Sequence, residues 1–330
     1  MRDRKRKYPS SKGTERYTGG IENLKKSHQH SGKLTQTLYQ LVAQEHDAGI
    51  RFCVSRVLHI LNLSTSGYYE FLKREPSRQA LHKEEMKKQI QDIYDESHQN
   101  YGAPKIAKVL QKEGNPISER TVGTYMREMG IKAQWIKKST KTTVDSCFDT
   151  NLRNVLKREF SPERPNAVWC SDITYISTRL SGFVYLTSIM DLYSRKIIAW
   201  TLSKTLEVEE VLKCLEKARS IRNLDDPIVI HTDRGIHYTC GLYREMTQGM
   251  KRSYSKKGTP YDNACIESFH SLIKREWLNR FEIENYRQAY RLVWEYIEGW
   301  YNPKRIHSHC GYESPNDHEI AWHMKNKRSS

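Results

Sequence analysis

The chain has 330 residues, with 55 Lys and Arg against 39 Asp and Glu and a formal charge of +16. That length exceeds one typical domain, and no apolar run approaches the ~18 residues of a membrane helix. The seven cysteines are odd in number and form no CxxC pair, which excludes an obvious disulfide scaffold and fits a reducing cytoplasm.

Basicity is concentrated early. Residues 1–60 hold twelve Lys/Arg and five Asp/Glu, whereas 166–330 hold 24 and 20. A basic front half before a nearly balanced rear half suits a polyanion-binding arm joined to a folded domain, although a solvated basic face gives the same count. The start, MRDRKRKYPSSKG, has no apolar segment behind it and does not read as a secretory signal. Residues 1–35 read as a flexible basic tail.

Residues 36–76 read as a helical unit. Val54, Val57, Leu58 and Leu61 recur at helical spacing, Asn62-Leu63-Ser64 breaks the pattern, and Thr65 to Leu72 restarts it. Residues 78–135 hold a better-formed helix-turn-helix. Met86, Ile90, Ile93 and Tyr94 form one stripe. Ile106, Val109 and Leu110 form another just after Pro104, a residue suited to a first helical turn. Ser118 is placed to cap a further helix whose apolar face is Val122, Tyr125, Met126 and Met129. Arg120, Thr121 and Thr124 lie off that face and are candidate DNA contacts, although plain helical bundles share the pattern. Residues 136–165, polar and basic with two prolines in SPERPN, read as a linker.

The texture then changes. AVWCSDITYIS, GFVYLTSIMD and RKIIAWTLS are runs rich in β-branched and aromatic residues, with turns at Ser181-Gly182 and Tyr193-Ser194. Glu207 to Arg219 reads as a helix, DPIVIHTD as a fourth strand, 239–249 as helical and MKRSYS as a short fifth strand. Helices over 264–279 and 284–301 follow. Three strands, then alternating helix and strand, then helices is the order of an α/β RNase H-like fold, a mixed five-stranded sheet flanked by helices. The chain is therefore multidomain. N-terminal all-α helix-turn-helix units precede this domain over 166–280, and a C-terminal helix and tail cover 281–330.

Three carboxylates stand out. Asp172 interrupts an apolar strand, sharing a face with Val168 and Cys170; an unpaired acid there is costly, so a cation belongs nearby, whether a metal or an Arg or Lys. Asp233 ends the fourth strand before Arg234-Gly235, a common setting for a ligand-facing residue and also for an ordinary turn Asp. Glu267 lies in the first turns of a helix, where an acid also complements the helix dipole. It forms a polar stripe with Ser271 and Lys274, apart from the apolar face of Ile266, Phe269, Ile273 and Trp277. Carboxylate oxygens without Cys or clustered His suit Mg²⁺ or Mn²⁺. Two such ions ~3.5–4 Å apart can assist an in-line displacement at phosphorus.

The segments VSRVLHILNLSTSGYYEFLKR, ESHQNYGAPKIAKVL, ERTVGTYMREMGIKA, PNAVWCSDITYI, YLTSIMDLYSRKIIAW, IHTDRGIHYT, SKKGTPYDNACIESFHSLIKRE and YNPKRIHSHCGYESP carry a resemblance over roughly 50–316. The chain resembles transposases of the insertion-sequence-three family, of the second-reading-frame type, with a retroviral-integrase-like DDE catalytic core. The resemblance implies an acidic triad at Asp172, Asp233 and Glu267, and a basic residue two helical turns beyond the glutamate, at Lys274. It implies cleavage at an element's ends, followed by attack of the freed 3′-hydroxyl on a second phosphodiester. It also implies that 78–135 helps hold the terminal inverted repeats. Sixty residues separate Asp172 from Asp233, which fits, and 33 separate Asp233 from Glu267, somewhat short of the family's usual spacing. The shortfall falls between Thr239 and Ser253, so a shortened helix and an intact triad are expected, with a degenerate copy as the alternative. Residues 1–45 match poorly, so a first-frame DNA-binding partner is expected in trans or by frameshift fusion. At least a dimer is expected, because two ends are handled together.

Lys256, Lys257 and Tyr261 suit contact with a nucleic-acid backbone and stacking on bases. Asp191 suits an auxiliary ligand or a structural partner of Arg195. Asp262 and Asn263 read as loop and cap residues, His231 and His237 as polar supports of Asp233, and Trp169, Trp294 and Trp300 as core. His307, His309 and Cys310 lack a fourth ligand for zinc. The competing functions are an RNase H-fold nuclease and a DNA-end-binding protein that does not cut.

Overall fold

The computed structural model describes residues 32–50, 52–134, 152–222, 227–256 and 258–327. The basic tail up to residue 31, the linker from 136 to 151 and Lys257 lie outside the described residues. Two compact units divide between Glu84 and Glu85.

The first unit contains helices α1 (Gly32–Asp47), α2 (Val54–Ile60) and α3 (Thr65–Lys73). They close on Tyr39, Val42, Leu58, Leu61 and Tyr68. Ser64 caps α3 by accepting from Gly67 N at 3.2 Å. Tyr39 donates its hydroxyl to Ser64 O at 3.0 Å.

Helix α4 (Arg78–Glu96) leads into the second unit, followed by α5 (Ala103–Lys112) and α6 (Glu119–Glu128). Pro104 occupies the first turn of α5, and Ser118 caps α6 from its hydroxyl, as their positions predict. Met86, Ile90, Ile93, Tyr94, Ile106, Leu110, Val122 and Met126 are buried.

A sheet of β1 (Val168–Thr178), β2 (Gly182–Asp191), β3 (Ile197–Ser203), β4 (Val229–Thr232) and β5 (Lys251–Tyr254) follows, in the order β3-β2-β1-β4-β5. The first three strands are antiparallel meanders; β4 pairs parallel with β1 and with β5. This is the mixed five-stranded RNase H-like arrangement. One face packs Trp169, Ile189 and Ile230 against α7 (Val208–Ile221). The other packs Cys170, Ile176 and Leu186 against α10 (Ala264–Glu276) and α11 (Tyr286–Trp294). Two short helices, α8 (Ile236–Thr239) and α9 (Gly241–Met246), lie between β4 and β5, where a shortened helix was expected.

Three local readings change. Residues 152–160, within the expected linker, lie along β5: Tyr254 N donates to Arg153 O at 3.0 Å, and Ser253 Oγ accepts from Val155 N and Leu156 N at 2.9 Å each. Backbone groups there find partners in the sheet rather than in water. Past α11 the helix widens to π geometry over Glu295–Tyr301, burying Trp300 but leaving Trp294 51% exposed, so Trp294 is not core. A last helix, α12 (Pro315–Lys327), anchors its buried Glu319 to Arg222 at 2.8 Å and Lys196 at 3.4 Å.

Candidate active site

Period-two alternation in β1 puts Asp172 on the face that carries Cys170 and packs on α10. Its side chain is 17% exposed, and Oδ2 lies 3.3 Å from His270 Nδ1. His270 is buried on α10, one turn past Glu267, and its Nε2 lies 3.3 Å from Ser188 Oγ. Ser188 is the residue directly opposite Asp172 in the β1–β2 pair. Among the described residues, the side chain set against the Asp172 carboxylate is thus a histidine, not the Arg or Lys of a simple buried salt bridge.

Asp233 follows β4 and folds back so that Oδ1 accepts from Gly235 N at 2.9 Å. A Cβ at Gly235 would stand 3.0 Å from that oxygen, so the close approach favours glycine. Burial, then the charge of Asp172, pushes the Asp233 carboxyl up to about 6, against the pull of Gly235 N–H and His237. Glu267, exposed in the first turn of α10, is raised by partial burial and by Asp172 and Asp233. The three acids therefore share one field although they come from two strands and a helix.

Lys274, two turns along α10, sets Nζ 4.4 Å from the centre of the Tyr175 ring. Burial lowers its pKa, and Asp172 pulls it back up. Carboxylates whose charge raises a neighbouring acid, as Asp172 does at Asp233 and Glu267, are oxygen donors of the kind a hard divalent cation takes. Among the described residues, no three His, Cys, Asp or Glu side chains converge closely enough to hold one ion.

Supporting side chains were less visible in the sequence. His231 is fully buried, with Nδ1 2.8 Å from Ser253 Oγ and Nε2 3.1 Å from Ser255 Oγ. Ser253 Oγ already accepts two N–H bonds from 155 and 156, so its proton goes to Nδ1. Nε2 then carries the hydrogen. Burial lowers the His231 pKa to about 4, which keeps the ring neutral. Arg234 turns into the protein, donating to Ser255 O at 2.7 Å and Leu152 O at 3.1 Å. His237 lies 3.0 Å from Leu206 O through Nε2.

Asp262 is more than a loop residue. It accepts from Arg158 Nε at 2.6 Å, Asn154 Nδ2 at 2.9 Å and Lys256 N at 2.9 Å. Burial raises its carboxyl, but these donors outweigh burial and hold it below the usual range. Asn263 makes no side-chain cap. Lys256 is exposed and Tyr261 is 71% exposed on the loop that Asp262 ties down.

Among the described residues, Asp191 forms no ion pair with a cationic side chain. It accepts from Asn166 N at 2.7 Å and Tyr193 N at 2.9 Å. Arg195 instead donates to Cys265 Sγ at 2.8 Å and Phe160 O at 2.9 Å, and lies 3.3 Å from His309 Nδ1. Cys310 donates to Ser194 O, and His307 lies 3.1 Å from Arg305 Nη1.

On α6, Arg120 is exposed. Thr121 Oγ1 is shared with Ser118 Oγ at 2.9 Å, and Thr124 donates to Arg120 O at 3.0 Å. Arg127, not singled out from the sequence, extends the same polar stripe and donates to Thr124 Oγ1 at 3.3 Å.

The chain matches the family described as Integrase core domain over residues 162–260 and again over 248–315, and the HTH-like domain over 81–139. The transposase for insertion sequence element IS904 of Lactococcus lactis is 34% identical over 250 residues, spanning 75% of this chain and 98% of the relative. Transposase InsF for insertion sequence IS3A of Escherichia coli is 30% identical over 280 residues, spanning 84% and 96%. Among solved structures, the HTLV-2 integrase catalytic core domain aligns over 48% of this chain and 98% of its own, at 18% identity and a TM-score of 0.37. With an RNase H-like sheet, an HTH-like domain and such relatives along nearly their whole length, the chain belongs to the DNA transposases of insertion elements, in the insertion-sequence-three family.

Proposed function

We propose that Asp172, Asp233 and Glu267 are the metal ligands and catalytic carboxylates of this transposase. They would act in cleavage at the element's ends and in transfer of the freed 3′-hydroxyl to a second phosphodiester. The observation that carries the reading is electrostatic: besides burial, the charge of Asp172 raises both Asp233, to about 6, and Glu267, and Asp233 raises Glu267 further. Such a cluster is stabilised by divalent charge. Bound there, two Mg²⁺ or Mn²⁺ ions would supply charge stabilisation at the attacking and leaving oxygens.

The chain's own residues supply placement. His270 orients Asp172, and Gly235 N–H holds Asp233. Lys274 offers a cation to a phosphate beside Asp172. Lys256, Lys257 and Tyr261 follow the DNA strand near the site, and Arg120, Thr121 and Thr124 face the inverted repeat from α6. A homo-oligomer, at least a dimer, brings two ends together, a first-frame DNA-binding protein is a candidate partner, and the bacterial cytoplasm is the proposed compartment. Among the described residues no helix is long and apolar enough to cross a membrane.

The test is strand transfer from a labelled inverted-repeat end into target DNA with Mg²⁺. Joining by the wild type, and its loss with retained end binding in Asp172→Asn, is the expected result. Activity surviving in Asp172→Asn overturns the ligand assignment. Hydrolysis without joining would mark a nuclease, and salt-sensitive binding alone a defective copy.

A further inference from the structure

Arg280 follows α10 and reaches the turn after α4. Nη1 donates to His98 O at 2.6 Å, and Nη2 to Asn100 Oδ1 at 2.5 Å. That turn is unusual: His98 and Gln99 both have positive φ, +52° and +64°. Non-glycine residues pay for that conformation and keep it where surrounding contacts over-determine it. The contacts are present. The His98 ring packs on Trp277 with centroids 4.9 Å apart and on Trp300 at 5.3 Å. The Tyr101 hydroxyl accepts from Ile306 N at 2.9 Å. Lys112 Nζ donates to Tyr312 O at 2.8 Å.

Trp277 and Arg280 directly follow α10, the helix that carries Glu267, His270 and Lys274. The turn they grip belongs to the bundle that carries α6. The bundle and the catalytic helix are therefore clamped through side-chain contacts distant in sequence, independently of the chain segment that joins them.

We propose that Arg280 is a positioning residue that sets which phosphodiester is cut. By fixing the α4–α5 turn to the end of α10, it holds the α6 face at a set offset from the carboxylates. The proposal rests on the reading that α6 faces the element's end and that the carboxylates cut it. A slack of about 3.4 Å, the rise of one base pair, is enough to move the cut by one nucleotide. Arg280 touches neither DNA nor the acids in this assignment, so its removal should spread the cut rather than weaken end binding.

The experiment uses the full chain, a duplex bearing the element's own terminal repeat, and Mg²⁺, with cuts mapped at nucleotide resolution. The wild type should cut at one position. Arg280→Ala and, independently, Asn100→Ala should bind the duplex within about twofold of wild type and scatter cuts over neighbouring positions. Arg280→Lys, which can replace one of the two bonds, should narrow that spread. Thermal unfolding identifies variants that keep their fold. A second readout needs no turnover: a benzoylphenylalanine photocrosslinker replacing Tyr261 should mark one nucleotide in the wild-type background and several with Arg280→Ala. A folded, binding Arg280→Ala that cuts and crosslinks at the single wild-type position overturns the proposal, even if it is slower. A wild type that crosslinks at one position without cutting overturns the catalytic reading instead, and the crosslink spread still decides the role of Arg280.

Discussion

His270 holds Asp172 from above the sheet: Nδ1 lies 3.3 Å from the carboxylate, and Nε2 lies 3.3 Å from Ser188, the cross-strand neighbour of Asp172. The imidazole thus joins two strands and a helix at the acid that the other two carboxylates feel most strongly. Side chains that orient a metal ligand typically matter by about 10–100-fold in metal affinity or activity. His270→Ala should slow single-turnover end cleavage by roughly that factor and raise the Mg²⁺ concentration needed. Repeat-end affinity should be unchanged in a gel-shift titration. A wild-type Mg²⁺ requirement in the variant would remove His270 from this role.

Lys274 and Arg120 should separate two kinds of DNA contact. Lys274 is assigned to a phosphate and Arg120 is an exposed cation on the α6 face turned to the repeat, so Lys274→Ala and Arg120→Ala should each weaken binding and reduce the slope of log affinity against log salt by about 1. Lys274→Ala should also slow cleavage of pre-bound ends, because its ammonium lies in the field of Asp172. Arg120→Ala should not. Equal salt slopes for wild type and variant would exclude a phosphate contact at that position.

The acids give a signed pH dependence in metal-free protein. Asp233 and Asp191 are both raised from 3.8 to about 6, chiefly by burial. Between these values the folded chain binds more protons than the unfolded chain, so their contribution to stability rises as pH falls from 7 towards 5. Glu276 and Glu319 have the opposite sign. Burial raises their carboxyls, but Arg305 beside Glu276 and Arg222 beside Glu319 outweigh it and hold them below 4.5. Their contribution is present above that value and is lost as pH falls through the depressed folded values. Buried His231, whose pKa burial lowers to about 4, loses stability over the same window, so the contribution of Asp233 is read as a difference: the stability of wild type relative to Asp233→Asn should grow as pH falls from 7 to 5. Chemical denaturation at fixed ionic strength across pH 3–8 checks both signs.

Asp262→Ala should destabilise the second unit by about 1–3 kcal/mol, because Lys256 N and Asn154 lose their buried acceptor. Arg158, whose side chain is 51% exposed, can return to water at little cost. The variant should also make the 152–158 stretch cleavable by protease, and a wild-type digestion pattern would show that Asp262 does not hold it.

Much of this was legible in the sequence because it rests on periodicity. The alternation around Asp172 gave its face, and seven-residue spacing put Glu267 and Lys274 on one side of a helix. His270 was missed because it sits on the seam between the apolar and polar stripes, though it lies three residues after Glu267 and four before Lys274. Trp294 misled because hydrophobicity suggested core. It shares the outer face of α11 with Tyr290, while Ala289, Leu292 and Val293 point inward. The 152–160 segment looked like a linker because its composition is polar. What holds it is backbone hydrogen bonding, which composition does not report.

That same segment has a consequence for assembly. An open sheet edge invites a second chain to add a strand, and proteins avoid this by covering the edge. Here Arg153 O occupies Tyr254 N on β5, while Asn302 bonds both backbone groups of Ile197 on β3 and Tyr286 donates to Leu202 O. Continuous strand addition across two chains is thereby blocked at these positions. At these positions each catalytic sheet is closed by its own chain as a five-stranded body.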